Sequence, residues 1–266
     1  MNNTKEYFGI HLMVPGTCKA TCPFCYTKEF KSKDKDLFLK KLINRLDKIL
    51  STKPKEKFDV HLLFTGKENT MDLVYLDKLM KSLDDYKIKE KITGHIVLPT
   101  NGYDILNAIP IIKNVVNRVG VSLNSINYTE RKSIYNINLS DEYYSNISKA
   151  LSDNNLLSAV SIVINDTNEL NSLKDYIYYV NKIGFKHLRF RLNSFDTFEF
   201  DKFKLEILSN IAQSYTNDCT NTVHLSMDNG MRVDLVYRLI QSNNHECVIF
   251  DDGVYKDFDK KEKLYD

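Results

Sequence analysis

Six apolar, strand-like segments alternate with six amphipathic, helix-like segments between residues 8 and 215. This rhythm constrains the fold more than any other feature of the chain. The strands read at 8–14, 58–65, 94–100, 118–123, 157–164 and 187–192, and the helices at 37–50, 71–83, 105–116, 141–151, 170–183 and 203–215. In the first helix Phe38, Leu42, Leu46 and Ile49 recur at helical spacing, with Asp36 placed as its cap. Repeated strand–helix units demand parallel strands with right-handed crossovers, and strands as apolar as Ile96-Val97-Leu98 suit a sheet covered by helices. A doubly wound open sheet and a partial barrel both satisfy the pattern.

From about Asn221 the rhythm breaks. A strand-like 223–227 precedes a helical 233–241 and then an apolar run from Cys247 to Tyr255, within which Asp252-Gly253 signals a hairpin. These segments predict an antiparallel cap packed on the barrel. The expected division is 1–195 for the core barrel and 196–266 for a helix and hairpin extension of the same domain, within the range one domain of 266 residues can occupy.

The 37 basic and 35 acidic residues leave a net charge of +2, which provides no long-range field for nucleic acid or an anionic membrane. The mixed-sign runs 31–36 and 53–57 read as solvated helix flanks. No stretch reaches the roughly 18 apolar residues of a membrane helix, and the first residues lack the apolar core of a signal peptide. A cytoplasmic protein is expected.

Three of the five cysteines fall within eight residues, in Cys18-Lys-Ala-Thr-Cys22-Pro-Phe-Cys25, on the loop that follows the first strand. In a reducing compartment such spacing serves metal binding or redox chemistry. No fourth Cys or His follows at zinc-finger spacing, so a structural zinc would have to recruit His11, Cys219, Cys247 or another distant residue. Three thiolates suit a four-iron cluster that keeps one iron open. Cys219 and Cys247 stand apart and read as small buried residues.

At this point the chain resembles the radical S-adenosylmethionine (SAM) superfamily, whose signature is C-x-x-x-C-x-aromatic-C after the first strand. Phe24 holds the aromatic position and Tyr26 follows the last cysteine. The resemblance runs from Tyr7 to Asn193, about seven-tenths of the chain, and implies an α/β fold built as a partial (β/α)6 parallel barrel. It implies a [4Fe-4S] cluster on Cys18, Cys22 and Cys25, with SAM beside Phe24. The second strand ends in Thr65-Gly66-Lys67-Glu68-Asn69, similar to the family's Gly-Gly-Glu-Pro; Gly66 and Glu68 match, whereas Lys67 and Asn69 depart, Lys67 being expected to point outward. Thr100-Asn101-Gly102 resembles the family's Thr-Asn-Gly, and Val121-Ser122-Leu123-Asn124 its Val-Ser-Leu-Asp, with Asn124 in place of the aspartate. Asn165 resembles an asparagine after the fifth strand, and Arg189 or Arg191 would pair with the SAM carboxylate or an anionic substrate group. An arginine on a parallel strand is costly unless paired, so a buried partner is expected.

His11 and His61 read either as barrel-facing contacts or, more often for such positions, as satisfied core histidines. The sixteen tyrosines suggest a radical relay less than they suggest packing, as in Tyr176-Ile-Tyr-Tyr179. The resemblance implies reductive cleavage of SAM to a 5′-deoxyadenosyl radical, with electrons from a flavodoxin- or ferredoxin-type donor. No second cysteine cluster accompanies the motif. A small-molecule or nucleotide-like substrate is therefore expected ahead of peptide modification and of glycyl-radical activation. A non-catalytic iron–sulfur or zinc module is the reading from another class.

Overall fold

The computed structural model describes residues 5–22, 25, 32–164, 173–192, 214–217, 222–227, 229–237, 246–256 and 260–266. Six strands come first: β1 (Glu6–Val14), β2 (Phe58–Gly66), β3 (Ile96–Thr100), β4 (Arg118–Ser122), β5 (Leu157–Ile164) and β6 (His187–Leu192). Between them run α1 (Lys35–Ser51), α2 (Leu73–Asp85), α3 (Ile88–Lys91), α4 (Ile105–Ile112), α5 (Tyr128–Tyr135), α6 (Asp141–Asp153) and α7 (Leu173–Lys182). Then follow β7 (Ser214–Asn217), β8 (Thr222–Ser226), β9 (Arg232–Tyr237), β10 (Glu246–Ile249), β11 (Val254–Tyr255) and β12 (Lys263–Tyr265).

All twelve strands form one open sheet, ordered β12-β11-β10-β1-β2-β3-β4-β5-β6-β9-β8-β7. The run from β10 to β9 is parallel throughout. It is flanked by antiparallel β11 and β12 on one edge and by antiparallel β8 and β7 on the other. The α/β partial barrel is thus present, widened beyond six strands. The expected antiparallel C-terminal strands are present and stand at the two edges of the sheet.

Helix and strand patterns explain the layering. Phe8, Ile10, Leu12 and Val14 alternate along β1 into the core beneath Phe38, Leu42 and Leu46 of α1 and Leu76, Leu79 and Leu83 of α2, all at or below 5 % exposure. The opposite parity of the strands faces inward. Asp34, not Asp36, caps α1, its carboxylate accepting from Leu37 N–H at 2.9 Å, while Asp36 lies in the first turn.

Two C-terminal expectations need correction. Residues 232–237 form strand β9, not a helix: Val233 and Leu235 pack into the core while Asp234 and Val236 turn inward, a period of two that pairing with β6 enforces. Residues 238–241 lie outside the described residues. Of the expected 203–215 helix, 203–213 lie outside them as well, and Ser214 and Tyr215 belong to β7. The hairpin at Asp252-Gly253 is present, with Phe250 N–H donating to Gly253 O at 2.8 Å.

Candidate cofactor site at the barrel mouth

Side chains of inward parity enclose a cavity of about 530 Å³ that runs from the loop after β1 down to the first residue of β4. Cys18, Cys22 and Cys25 all border it. Their loop is held at three points. Asn101 Nδ2 donates to Cys18 Sγ at 3.9 Å, Lys19 lies 5.2 Å from the Tyr103 ring, and Thr21 N–H donates to Ile134 O at 2.9 Å. Within the loop Cys25 N–H donates to Cys22 O at 3.2 Å. Burial pushes the Cys18 thiol up, while backbone N–H groups of Ala20 and Glu68 work the other way by favouring its thiolate. Among the described residues, no three His, Cys, Asp or Glu side chains are already gathered tightly enough to hold an ion.

The end of β2 is shaped by backbone. Gly66 has φ of +110°, and a Cβ there would lie 2.7 Å from Val14 O, so only glycine fits between the β2 turn and β1. The chain then brings in Glu68, whose buried carboxylate is engaged on both oxygens. Oε1 accepts from Thr100 Oγ1 at 2.7 Å and Thr70 Oγ1 at 2.8 Å, and Oε2 accepts from Asn101 N–H at 2.6 Å. Burial raises its carboxyl, against the pull of these donors. Thr100 Oγ1 accepts from Gly102 N–H at 2.9 Å, and Asn101 Oδ1 from Tyr103 N–H at 2.9 Å. Glu68 therefore ties the β2 turn to the β3 turn.

Two amide oxygens at this cavity stand without partners: Asn69 Oδ1 and Asn124 Oδ1, both removed from water. Asn124 N–H itself donates to Tyr135 Oη at 3.1 Å, and burial pushes that phenol well above its ordinary value. Orphaned acceptors facing a cavity lined by thiols and a glycine turn fit a ligand that brings amine and hydroxyl donors.

No family model matches the sequence, and no curated protein does. Solved structures do. The chain is similar over 98% of its length to Streptococcus suis SuiB bound to the precursor peptide SuiA, with a TM-score of 0.64, 10% identity and 62% of that chain covered. It is similar over 97% to native anSMEcpe with bound AdoMet, with a TM-score of 0.62, 16% identity and 77% of that chain covered. Against Escherichia coli coproporphyrinogen III oxidase (HemN), a radical SAM enzyme, 76% of this chain and 47% of that one align, with a TM-score of 0.50 and 13% identity. The chain shares its fold with these solved structures. The chain spans about three-fifths of that SuiB structure and of a further anSMEcpe structure with bound AdoMet, at 62% and 59%.

On this fold Thr65, Gly66, Glu68, Thr100, Asn101, Ser122, Asn124 and Arg189 all border the cavity that the three cysteines share. Phe24 and Asn165 lie outside the described residues, as does Cys219. Lys67 is also among the residues that border the cavity. Cys247 does not reach it. It is 2 % exposed on β10, and burial pushes its thiol up to about 12. His61 is satisfied by Asp59 Oδ2 at 3.0 Å and His95 N–H at 3.0 Å. His11 lines the cavity with its Nδ1 3.1 Å from Thr65 Oγ1.

Sequence reasoning missed Thr70, Tyr135, Arg118 and Asp234. Arg118, Gly120 and Ser122 share one parity along β4, and that period was the available signal for Arg118. No described helix is long and apolar enough to cross a membrane.

Proposed function

We propose that this protein is a radical SAM enzyme, with Cys18, Cys22 and Cys25 holding a [4Fe-4S] cluster and SAM occupying the adjoining cavity. One observation carries the reading: the motif cysteines border the same cavity as Gly66 and the unpartnered amide oxygens of Asn69 and Asn124. When bound, this cofactor pair supplies reductive SAM cleavage to a 5′-deoxyadenosyl radical able to remove hydrogen from an unactivated carbon. The chain's own residues do the positioning. The Gly66 turn lets a ligand lie against backbone, Glu68 fixes the β2 and β3 turns relative to each other, and Asn124 and Asn69 offer acceptors to amine or hydroxyl donors. Thr65, Thr100, Asn101 and Ser122 complete the proposed SAM-facing set, with Arg189 assigned to an anionic substrate group.

A small-molecule or nucleotide-like substrate is our first assignment. Peptide modification is the second, supported by the peptides bound in the SuiB and anSMEcpe structures. A flavodoxin- or ferredoxin-type protein is the proposed electron donor, and the cytoplasm the proposed location. The test is anaerobic reconstitution with iron and sulfide, followed by dithionite and SAM, with 5′-deoxyadenosine measured by mass spectrometry. Wild type is expected to form deoxyadenosine and the triple Cys18, Cys22 and Cys25→Ala variant none. Zinc in the site, with no SAM cleavage, would overturn the reading.

A further inference from the structure

A second polar cluster lies inside the barrel, toward the ends of the strands away from the cysteines. Arg118 opens β4 and His187 opens β6. Arg118 Nη2 lies 2.9 Å from His187 Nδ1, and His187 Nε2 lies 2.7 Å from Asp234 Oδ2. Burial lowers the His187 ring's proton affinity, so the neutral tautomer that accepts from Arg118 and donates to Asp234 satisfies both contacts. The other Asp234 oxygen takes Arg232 Nε at 2.8 Å and faces His224 Nδ1 at 2.8 Å. Asp234 is 1 % exposed. Arg189 Nε approaches its Oδ2 at 3.4 Å without hydrogen-bond alignment and is buried with no hydrogen-bond partner.

Arg118, Arg189 and Arg191 all border the cavity, and Asp234 is the carboxylate that Arg189 approaches. It is already shared with Arg232, His187 and His224. Glu246 also borders the cavity, directed at His11 Nε2 at 3.6 Å. Arg189, whose side chain is 25 % exposed, leaves a buried Nε–H without an acceptor, which an anion entering the cavity would supply. A guanidinium fork matches an oxyanion in two-point geometry. Arg118 lies four positions before Ser122, about 13 Å along β4, whereas Arg189 stands in register with Ser122 through Ser161.

We propose that the substrate carries a carboxylate or phosphate group that Arg118 and Arg189 receive inside the barrel, with its reacting carbon left nearer the cysteines. Assigning the anion to the substrate rests on the radical SAM reading; anion capture by the two guanidiniums does not.

The test is isothermal titration of the full chain with inorganic phosphate and, separately, with succinate, at ionic strength fixed by chloride. It is run with and without SAM, on wild type, Arg118→Gln and Arg189→Gln. Saturable binding that survives SAM and weakens roughly tenfold or more in each variant is expected, a loss of about 1.4 kcal/mol. Phosphate alone or succinate alone identifies which oxyanion the substrate bears. No saturable binding, equal affinity in the variants, or displacement by SAM overturns the proposal. Should a variant fail to fold, wild type decides: a rise in Tm with either anion over matched chloride supports it, and no rise overturns it. If the radical SAM reading alone fails, deoxyadenosine is absent while anion binding persists.

Discussion

Both carboxylate oxygens of Glu68 are engaged by Thr70, Thr100 and Asn101, so its contribution lies in holding two turns together and not in a free charge at the cavity. Truncating it leaves the Asn101 N–H and the Thr100 hydroxyl without their acceptor in a dry site, each costing about 1–3 kcal/mol, whereas the Thr70 hydroxyl keeps Tyr103 O. Glu68→Ala is expected to lose about 3 kcal/mol by urea denaturation, with Glu68→Gln falling between it and wild type. A loss under about 0.5 kcal/mol would show that the turns hold without the carboxylate. Gly66 and Glu68 were legible because their spacing after the strand is local. Thr70 was not, because its bond to Glu68 matters only once β3 brings Thr100 and Asn101 alongside. Asn124 was flagged as a departure from aspartate, and the fold makes that departure an unpartnered amide oxygen at the cavity.

The seam between β6 and β9 pairs His187 with Arg232 and Arg189 with Asp234. Burial alone would raise the Asp234 carboxyl, but hydrogen bonds from His187, Arg232 and His224 overcome it and hold it well below the usual carboxylate range. Its stabilisation is present above the unfolded value near 4 and is lost as pH falls toward the folded value. His187 acts in the same direction. Its folded proton affinity is lowered, so below about pH 6.5 the unfolded chain binds more protons and stability declines. Thermal unfolding is expected to show Tm rising with pH up to about 6.5 and then levelling. Asp234→Asn should lose about 1–3 kcal/mol at pH 7, because it weakens the buried acceptor of His187 and Arg232. A variant as stable as wild type at pH 7 would sink this account. Sequence reading mistook β9 for a helix because six residues containing Val233, Leu235 and Val236 satisfy both periods, and a long-range partner decides between them.

At the scale of the molecule, β1 is an interior strand, paired on one side with β2 and on the other with β10, some 237 positions later at Gly9–Glu246. The alternation of strands and helices was legible because each unit is local, whereas the parallel return of β10 to β1 leaves no periodic trace. Deleting 246–266 would expose the long apolar edge of β1. Such a chain is expected to elute as aggregate in size-exclusion chromatography and to lose ordered far-UV circular dichroism, while wild type elutes as a discrete species. A truncated chain that stays discrete and folded would show that β10 is dispensable. The same return fixes the segment entering α1. Asp251 Oδ2 accepts from Lys33 N–H at 2.7 Å and Asp34 N–H at 2.8 Å, and Arg45 Nη1 donates to Phe250 O at 2.6 Å. Ser32 and Asp251 are 219 residues apart. At about 5–20 residues per second, a ribosome takes roughly ten to forty-five seconds to travel from one to the other. For that interval the nascent chain has its cysteines but lacks the anchor just beyond them.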